Sequence, residues 1–304
     1  MTGWLLLLCA LGAWTLIAFL YRRAQVHNAD FFAIAVTLGA SIFAVNLGLG
    51  ALFHGLSGAA LLPKVWGIAN SLLLVVAIPV LMTALRLGGL APTWTMMQLS
   101  FALATVLTLW YPGGTIQGPG KAGLALSVIA IFMLGFDKTR QEKGVVSAFG
   151  AQQVPGIRWF VLALCIFILN GMSSYSMALG FYAAPDNGFK HKAGFVGGMG
   201  AGLMVFGSLA LLVKRVFRKS GNGGSMVSGF KHGAIIGLCS VTGVHCSLAA
   251  FAFVPGYILY PVTSGGSTLL VTVLSIVLYR ERAGIPGWLG FCLGVAGIVL
   301  LGIG

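Results

Sequence analysis

The chain consists of long apolar runs separated by short polar gaps along its whole length. A helix needs about 20 predominantly apolar residues to cross the ~30 Å hydrocarbon core of a bilayer. The sequence divides into ten runs of about that length. This pattern predicts an all-α polytopic membrane protein with ten transmembrane helices. The predicted spans are residues 2–21, 31–53, 65–85, 90–110, 118–136, 157–181, 193–213, 233–253, 256–278 and 287–304.

The two halves of this pattern resemble each other. The polar gap 137–156 separates five predicted spans from five. Span four opens with Leu90-Ala91-Pro92-Thr93 and span nine with Leu259-Tyr260-Pro261-Val262, and each is followed by a glycine-containing span. Because five is odd, consecutive halves of this kind must cross the membrane in opposite orientations, as in secondary transporters. We therefore predict two inverted five-helix repeats, residues 1–145 and 157–304.

The composition excludes an ordinary soluble enzyme. Of the 304 residues, 58% are hydrophobic and 8% are charged, against roughly 25% charged residues in soluble domains. Lys and Arg number 18 against 5 acids, a net charge of +13. In a soluble protein this excess would suggest nucleic acid, but here the charges lie in gaps between apolar runs. We therefore expect no nucleic-acid partner.

The basic residues are distributed unevenly over the two predicted faces of the membrane. Fourteen of them lie in or directly beside the gaps that follow odd-numbered spans, whereas Lys64, Lys121, Lys190 and Lys192 lie in or beside the opposite gaps. Loops rich in Lys and Arg remain cytoplasmic. The first apolar run has no basic residue before it and is followed by Arg22 and Arg23, so we expect a retained span and not a cleaved signal peptide. We expect a multi-pass protein of the bacterial inner (cytoplasmic) membrane with both termini outside the cytoplasm.

One stretch of the second half resembles a known family. Residues 255–267, Leu278-Tyr279-Arg280-Glu281 and Trp288-Leu289-Gly290 resemble the closing helix pair of ten-helix EamA-like carriers in the drug/metabolite transporter superfamily. The first half departs from that family, with Trp110-Tyr111-Pro112 where an acidic turn is usual. More weakly, Ser173-Ser174-Tyr175 and the basic loop after span one resemble the sugar–proton symporter branch of rhamnose and glucose uptake carriers. The resemblance implies a secondary transporter.

His245 is the polar titratable residue closest to the centre of a predicted span, two residues from the midpoint of span eight. Ionisable residues at such depth often have a function in transport. Imidazole titrates near neutral pH, so His245 could bind substrate or carry a proton. The alternative is a neutral histidine bonded to a backbone carbonyl of a neighbouring helix.

Further polar side chains within the spans could contact a ligand or a neighbouring helix. These candidates are four amides and one hydroxyl, which suit recognition of hydroxyl or amide groups. They are the side chains of Asn46, Asn70, Gln98, Asn170 and Tyr175. Both interpretations are open for each, because polar groups in hydrocarbon also join helices.

Two proline-containing turns occur at corresponding places in the repeats. Pro261 precedes Thr263, Ser264 and Ser267, and Pro92 precedes Thr93 and Thr95. The hydroxyls could face substrate, or could satisfy the backbone carbonyls that proline frees.

Trp14 is the aromatic candidate for a binding cavity. The other tryptophans near span ends are expected to anchor the protein at the membrane surface, namely Trp66, Trp94, Trp110, Trp159 and Trp288. The candidate substrate-binding residues are His245, Asn70, Gln98, Thr95, Tyr175, Asn170, Thr263, Ser264, Ser267 and Trp14.

Acidic residues occupy loops and span ends, namely Asp30, Asp137, Glu142, Asp186 and Glu281. This placement disfavours a carboxylate proton relay and a cationic cargo. The five cysteines lie in apolar runs without metal-binding spacing, so we expect no metal, cofactor or disulfide.

The sequence thus favours a secondary transporter, and not an enzyme, that carries a small neutral or zwitterionic polar metabolite such as a sugar or an amino acid. We expect the lipid bilayer and this metabolite as partners, and a monomer or homodimer. The alternatives are a lipid-carrier flippase or a non-transporting membrane scaffold. An intramembrane enzyme that uses His245 with a serine is disfavoured because the sequence lacks a G-x-S-x-G nucleophile elbow at the serines of span nine.

Overall fold

The structure is a computed structural model. It describes residues 2–52, 61–110, 118–144, 156–182, 189–217, 224–250, 253, 261–279 and 284–303. Asp186, Glu281 and the motif segments 111–112, 255–260 and 280–282 lie outside the described residues, as do the side chains of Asp137, Glu142 and Trp110.

The described chain is helical almost throughout. The helices are α1 (Thr2–Val26), α2 (Phe31–Leu52), α3 (Leu61–Gly88), α4 (Leu90–Leu99), α5 (Phe101–Trp110), α6 (Gly118–Gly144), α7 (Gly156–Tyr182), α8 (Phe189–Phe217), α9 (Met226–Ala250), a π-helical turn (Pro261–Gly265), α10 (Gly266–Tyr279) and α11 (Ile285–Ile303). The predicted fourth span is interrupted at Ser100, where α4 gives way to α5. The described part of the ninth span starts with the π-helical turn.

Five described helices are long and apolar enough to cross a membrane, and the shorter apolar segments include Gly118–Met133, Thr263–Tyr279 and Ile285–Leu300. Large apolar side chains on these helices face outward, among them Phe132 at 66% and Val277 at 68% exposure. Such surfaces are compatible with lipid and unfavourable in water. These are the features of a helical membrane protein, which confirms the coarse fold class. The ten-span count, the inverted repeat and the orientation of the termini stay predictions.

Contacts between residues divide the chain into two compact units. The first unit comprises Met1–Phe19, Thr83–Ile168 and Gly243–Gly304, and the second comprises Leu20–Met82 and Leu169–Thr242. Each unit takes segments from both predicted repeats. The predicted repeats are defined by sequence similarity, whereas the units are defined by contacts in space. The units therefore do not test the repeats, and the boundaries 1–145 and 157–304 stay a prediction.

The first unit is built on the pairing of α6 with α11. A Cβ at Gly297 would stand 2.9 Å from the Gly123 carbonyl, and one at Gly294 would stand 3.6 Å from Ala130. Small residues therefore let the two backbones approach closely. A buried apolar cluster surrounds this pair and includes Ala84, Met96, Leu99, Ala130, Ile131, Trp159, Ala163 and Ile298.

The second unit is built on close helix contacts made by glycines of α8. A Cβ at Gly200 would stand 2.8 Å from the Phe43 backbone nitrogen in α2. On another face of α8, a Cβ at Gly198 would stand 2.5 Å from the Lys64 carbonyl of α3, and Gly202 lies directly against Ser71. Glycines at these positions therefore let α8 approach both α2 and α3 closely.

Two short connections fix where helices begin. Asp30 accepts hydrogen bonds at Oδ1 from the backbone nitrogens of Phe32 (3.0 Å) and Ala33 (3.1 Å), which caps the amino terminus of α2. Gly89 joins α3 to α4 with a φ of 83°, a conformation that glycine adopts without strain.

Candidate functional site

The first unit contains a buried polar strip on α4, the π-helical turn and α10. Thr93, Thr95 and Gln98 of α4 are buried, as are Thr263, Ser264 and Ser267 on the later segments. The Trp94 indole Nε1 donates a hydrogen bond to Ser267 Oγ at 3.1 Å. This bond joins α4 directly to α10, so candidates from the fourth and ninth predicted spans belong to one cluster.

Several hydroxyls of this strip bond to their own helix. Thr95 Oγ1 donates to the Ala91 carbonyl at 2.9 Å. Thr268 Oγ1 donates to the Ser264 carbonyl at 2.7 Å, at the end of the turn that begins with Pro261. Each hydroxyl bonds to the carbonyl four residues before it, so these contacts are internal to their own segments. Among the described atoms, the buried Thr272 Oγ1 of α10 has no hydrogen-bond partner.

Two tryptophans assigned to the membrane surface are buried instead. Trp94 is 1% exposed and Trp159 is 2% exposed. Trp159 Nε1 donates to Thr93 Oγ1 at 3.0 Å, and its ring lies against Gly88. The anchoring prediction is therefore wrong for both residues, because their helices turn these indoles toward partners that satisfy the N–H group.

In the second unit, the Asn70 side chain joins α3 to α7. Its Nδ2 lies 2.7 Å from the Ser173 carbonyl and 2.6 Å from Ser176 Oγ. Ser173 Oγ donates to Asn70 Oδ1 at 3.2 Å. The amide is 3% exposed, and its partners come from a helix about 100 residues further along the chain. These bonds fit the interpretation of Asn70 as a contact between helices.

Asn170 and Tyr175 lie on α7, in the same segment as the two partners of Asn70, and both are half-buried. In the first unit, Trp14 is half-buried in α1, and its ring lies 3.2 Å from the place where a Cβ at Gly243 of α9 would stand.

His245 is half-buried in the first unit. The α9 helix begins at Met226, seven residues before the predicted span, and His245 lies five residues before its described end at Ala250. The histidine is therefore displaced from the middle of the described helix toward its carboxyl end.

Asn46 is the most deeply buried of the amide candidates, with 1% exposure in α2. Its Nδ2 donates to the Ile42 carbonyl at 3.3 Å, one helical turn earlier. Its Oδ1 is buried and makes no hydrogen bond with any described residue. The amide therefore has one end fixed and an acceptor available.

Charged groups of the second unit gather at the α1–α2 connection. Lys214 Nζ donates to Asp30 Oδ2, and Asp30 is 3% exposed. Beside this pair, the His27 and His232 rings lie 5.7 Å apart. His232 Nδ1 lies 2.8 Å from the Ser228 carbonyl. Ion pairing is thus found at the helix ends, on the face predicted to be cytoplasmic.

Within each unit, the buried polar side chains away from the α1–α2 connection are mainly neutral hydroxyls and amides, together with the indoles of Trp94 and Trp159. Such groups can recognise an uncharged or zwitterionic polar molecule. No group of three His, Cys, Asp or Glu residues able to hold a metal ion occurs within the described ranges.

Several contacts were not predicted from the sequence. Trp94, Trp159 and Ser176 take part in buried hydrogen bonds but were not candidates, and Thr272 was not considered. The available signal for the tryptophans was the indole N–H group itself, since a buried indole N–H needs a partner.

No protein-family model and no curated protein matches the chain. Solved structures do match it. One chain, described as “Crystal structure of protein”, aligns with 99% of this chain and 97% of its own length, with a TM-score of 0.58 and 19% sequence identity. At this identity the similarity concerns the fold alone.

Proposed function

We propose that the protein is a secondary transporter that carries a small neutral or zwitterionic polar metabolite across the cytoplasmic membrane by alternating access. The sequence resemblance to ten-helix carriers of the drug/metabolite transporter superfamily supports this proposal. A transporter fold of this type uses inverted repeats and polar side chains near interrupted helices.

The observation that carries the proposal is the burial of neutral polar side chains in apolar helices. Asn46 and Ser267 are at most 1% exposed, although their helices carry exposed apolar side chains such as Leu47 and Val273. Gln98, on the enclosed helix α4, is 8% exposed. Polar groups within a membrane segment are unfavourable unless they bond to other helices or line a path for a polar solute. Some of them, such as Asn70, bond to a neighbouring helix. The available acceptor of Asn46 is not explained by such a bond.

The choice of cargo follows from the charges. Within the described ranges, the buried acidic side chain is Asp30, which lies at a helix end and pairs with Lys214. A strongly cationic or anionic cargo would need an opposite charge within the membrane to offset its desolvation. A neutral or zwitterionic molecule does not need a full opposite charge.

Flux measurements with purified protein test this function. Proteoliposomes would be loaded with buffer and exposed to labelled glucose, rhamnose, alanine and uridine, with protein-free liposomes as the control. We expect saturable uptake of one of these compounds that excess unlabelled compound competes away. Absence of saturable uptake for the whole panel, with the protein still folded by circular dichroism, would contradict the proposal.

A further inference from the structure

The amide of Asn46 has a fixed orientation and a buried acceptor. Its Nδ2 is bound to the Ile42 carbonyl of its own helix, so its Oδ1 points away from that bond. The residue is 1% exposed, and Oδ1 has no partner among the described residues. Buried side-chain acceptors in proteins are in most cases hydrogen-bonded to protein, water or ligand. The Asn46 carbonyl is therefore available to a donor that the described part of the chain does not supply.

The contacts between α2 and α8 place a glycine opposite Asn46. The helices run antiparallel, because a Cβ at Gly39 would stand 2.8 Å from Met204 N and one at Gly200 would stand 2.8 Å from Phe43 N. Two helical turns are about seven residues. Two turns along from the contact between Gly39 and Met204, α2 therefore presents Asn46 and the antiparallel α8 presents Gly197 at the same level.

There is space beside Gly197 at this position. Gly197 is buried, yet among the described residues no atom beyond its own stretch of helix lies within 4 Å of the place where its Cβ would stand. Gly200, one turn along α8, is in tight contact with α2. The two helices are therefore tightly packed at Gly200 and leave room at Gly197, at the level of the available acceptor.

We propose that Asn46 Oδ1 and the space beside Gly197 form a subsite that receives a hydroxyl group of the transported molecule. This inference rests on the proposed transport function and narrows its cargo to hydroxylated neutral compounds such as sugars and polyols. A hydroxyl donates one hydrogen bond to the amide carbonyl and is small enough for a space of side-chain methyl size. An ammonium group would need a counter-charge, which a neutral amide does not provide.

Two kinds of variant test the subsite separately. Asn46→Leu removes the acceptor at similar size, and Gly197→Val fills the space. Gly197→Ala is expected to fold normally because its Cβ would meet no atom within 4 Å, whereas Gly200→Ala is the matched control that would contact Phe43 N at 2.8 Å. The thermal unfolding temperature in detergent should therefore change little for Gly197→Ala and should fall clearly for Gly200→Ala.

The decisive measurement compares glucose with its monodeoxy analogues in proteoliposomes. In the wild type, we expect the removal of one particular hydroxyl to lower kcat/KM by about tenfold, which corresponds to the loss of one good hydrogen bond. In Asn46→Leu this difference should disappear, and Gly197→Val should raise KM for glucose. The subsite would be overturned if folded Asn46→Leu and Gly197→Val kept the wild-type ratio of kcat/KM for glucose to kcat/KM for the deoxy analogue. The partner of Asn46 would then be a bound water.

The outcomes also separate this inference from the transport function. Saturable uptake of alanine without any uptake of glucose or its analogues would uphold transport and overturn the hydroxyl subsite. Absence of uptake for every compound, together with a glucose-induced thermal shift that Asn46→Leu abolishes, would uphold the subsite and contradict transport.

Discussion

Asp30 and Lys214 are ion-paired, and the same carboxylate caps a helix. One oxygen of Asp30 accepts from Lys214 Nζ, while the other accepts from the backbone nitrogens of Phe32 and Ala33. The negative charge is therefore stabilised both by the lysine and by the positive end of the α2 dipole. A single buried side chain thus holds the start of α2 against the end of α8.

This double role predicts a graded loss of stability. Asp30→Asn keeps an acceptor for the cap and should lower the free energy of unfolding by about 1 kcal/mol. Asp30→Ala loses the cap as well as the pair and should lower it by about 3 kcal/mol. SDS titration of the purified protein in mixed micelles measures the free energy of unfolding of both variants. Equal losses for the two variants would show that the cap contributes nothing.

Removing the acceptor of the bond between Trp94 and Ser267 should lower the free energy of unfolding, because it leaves a buried N–H donor without a partner. Ser267→Ala leaves the indole N–H without its partner at 3.1 Å, which should cost about 1–3 kcal/mol. Trp94→Phe removes the donor, so the double variant should be less destabilised than the sum of the two single variants. A double-mutant cycle measures this coupling. Additive effects would contradict a direct contribution of the bond.

The Asn70 network should act mainly on stability. Asn70→Ala removes the bonds to Ser173 and Ser176 and should lower the free energy of unfolding by about 2 kcal/mol. Tyr175→Phe, which removes a half-buried hydroxyl on the same helix, is the control and should change stability little. If Asn70→Ala unfolds like the wild type but no longer transports, Asn70 is a ligand residue and not a contact between helices.

Glycines in close contact should differ from glycines in open space. A Cβ at Gly67 would stand 2.9 Å from Met199 N, whereas one at Gly12 meets nothing within 4 Å. Gly67→Ala should therefore destabilise the protein by about 1–3 kcal/mol through overpacking. Gly12→Ala should stabilise it by about 0.5–1 kcal/mol, because alanine favours the helix. Thermal unfolding of the two variants checks the sign of each effect.

His245→Ala should impair transport without unfolding the protein, if the histidine takes part in cargo binding or proton transfer. We expect a loss of about tenfold in uptake rate together with a changed pH profile, because imidazole titrates near neutral pH. His245→Gln, which keeps a hydrogen-bonding group, separates binding from titration. Wild-type uptake with an unaltered pH profile would assign His245 to packing.

The positions of the helices could be predicted from the sequence because run length and polarity are local properties. Every predicted span overlaps a described helical segment, and the turn predicted at Pro261 is observed as a π-helical turn. Helix ends were less predictable. For example, α9 begins at Met226 because its first polar turns continue the helix beyond the apolar run.

The partners of buried polar groups could not be predicted. In a helix that is apolar all round, the sequence does not show which face meets another helix and which meets lipid. Trp94 was therefore assigned to the membrane surface although it faces Ser267, which lies 173 residues away in the sequence. For Asn70, the same limit left open whether a neighbouring helix or a ligand would bind its amide.

The interruptions at Ser100 and at Pro261–Gly265 both belong to the first unit, whereas α2 and α8 of the second unit are described as uninterrupted helices. A break in the backbone hydrogen-bond ladder concentrates bending at one point, while a continuous helix distributes it over its whole length. Bending in the first unit is therefore concentrated at these two interruptions. In the second unit it is concentrated at Pro79 inside α3, whereas the paired helices α2 and α8 bend evenly along their length.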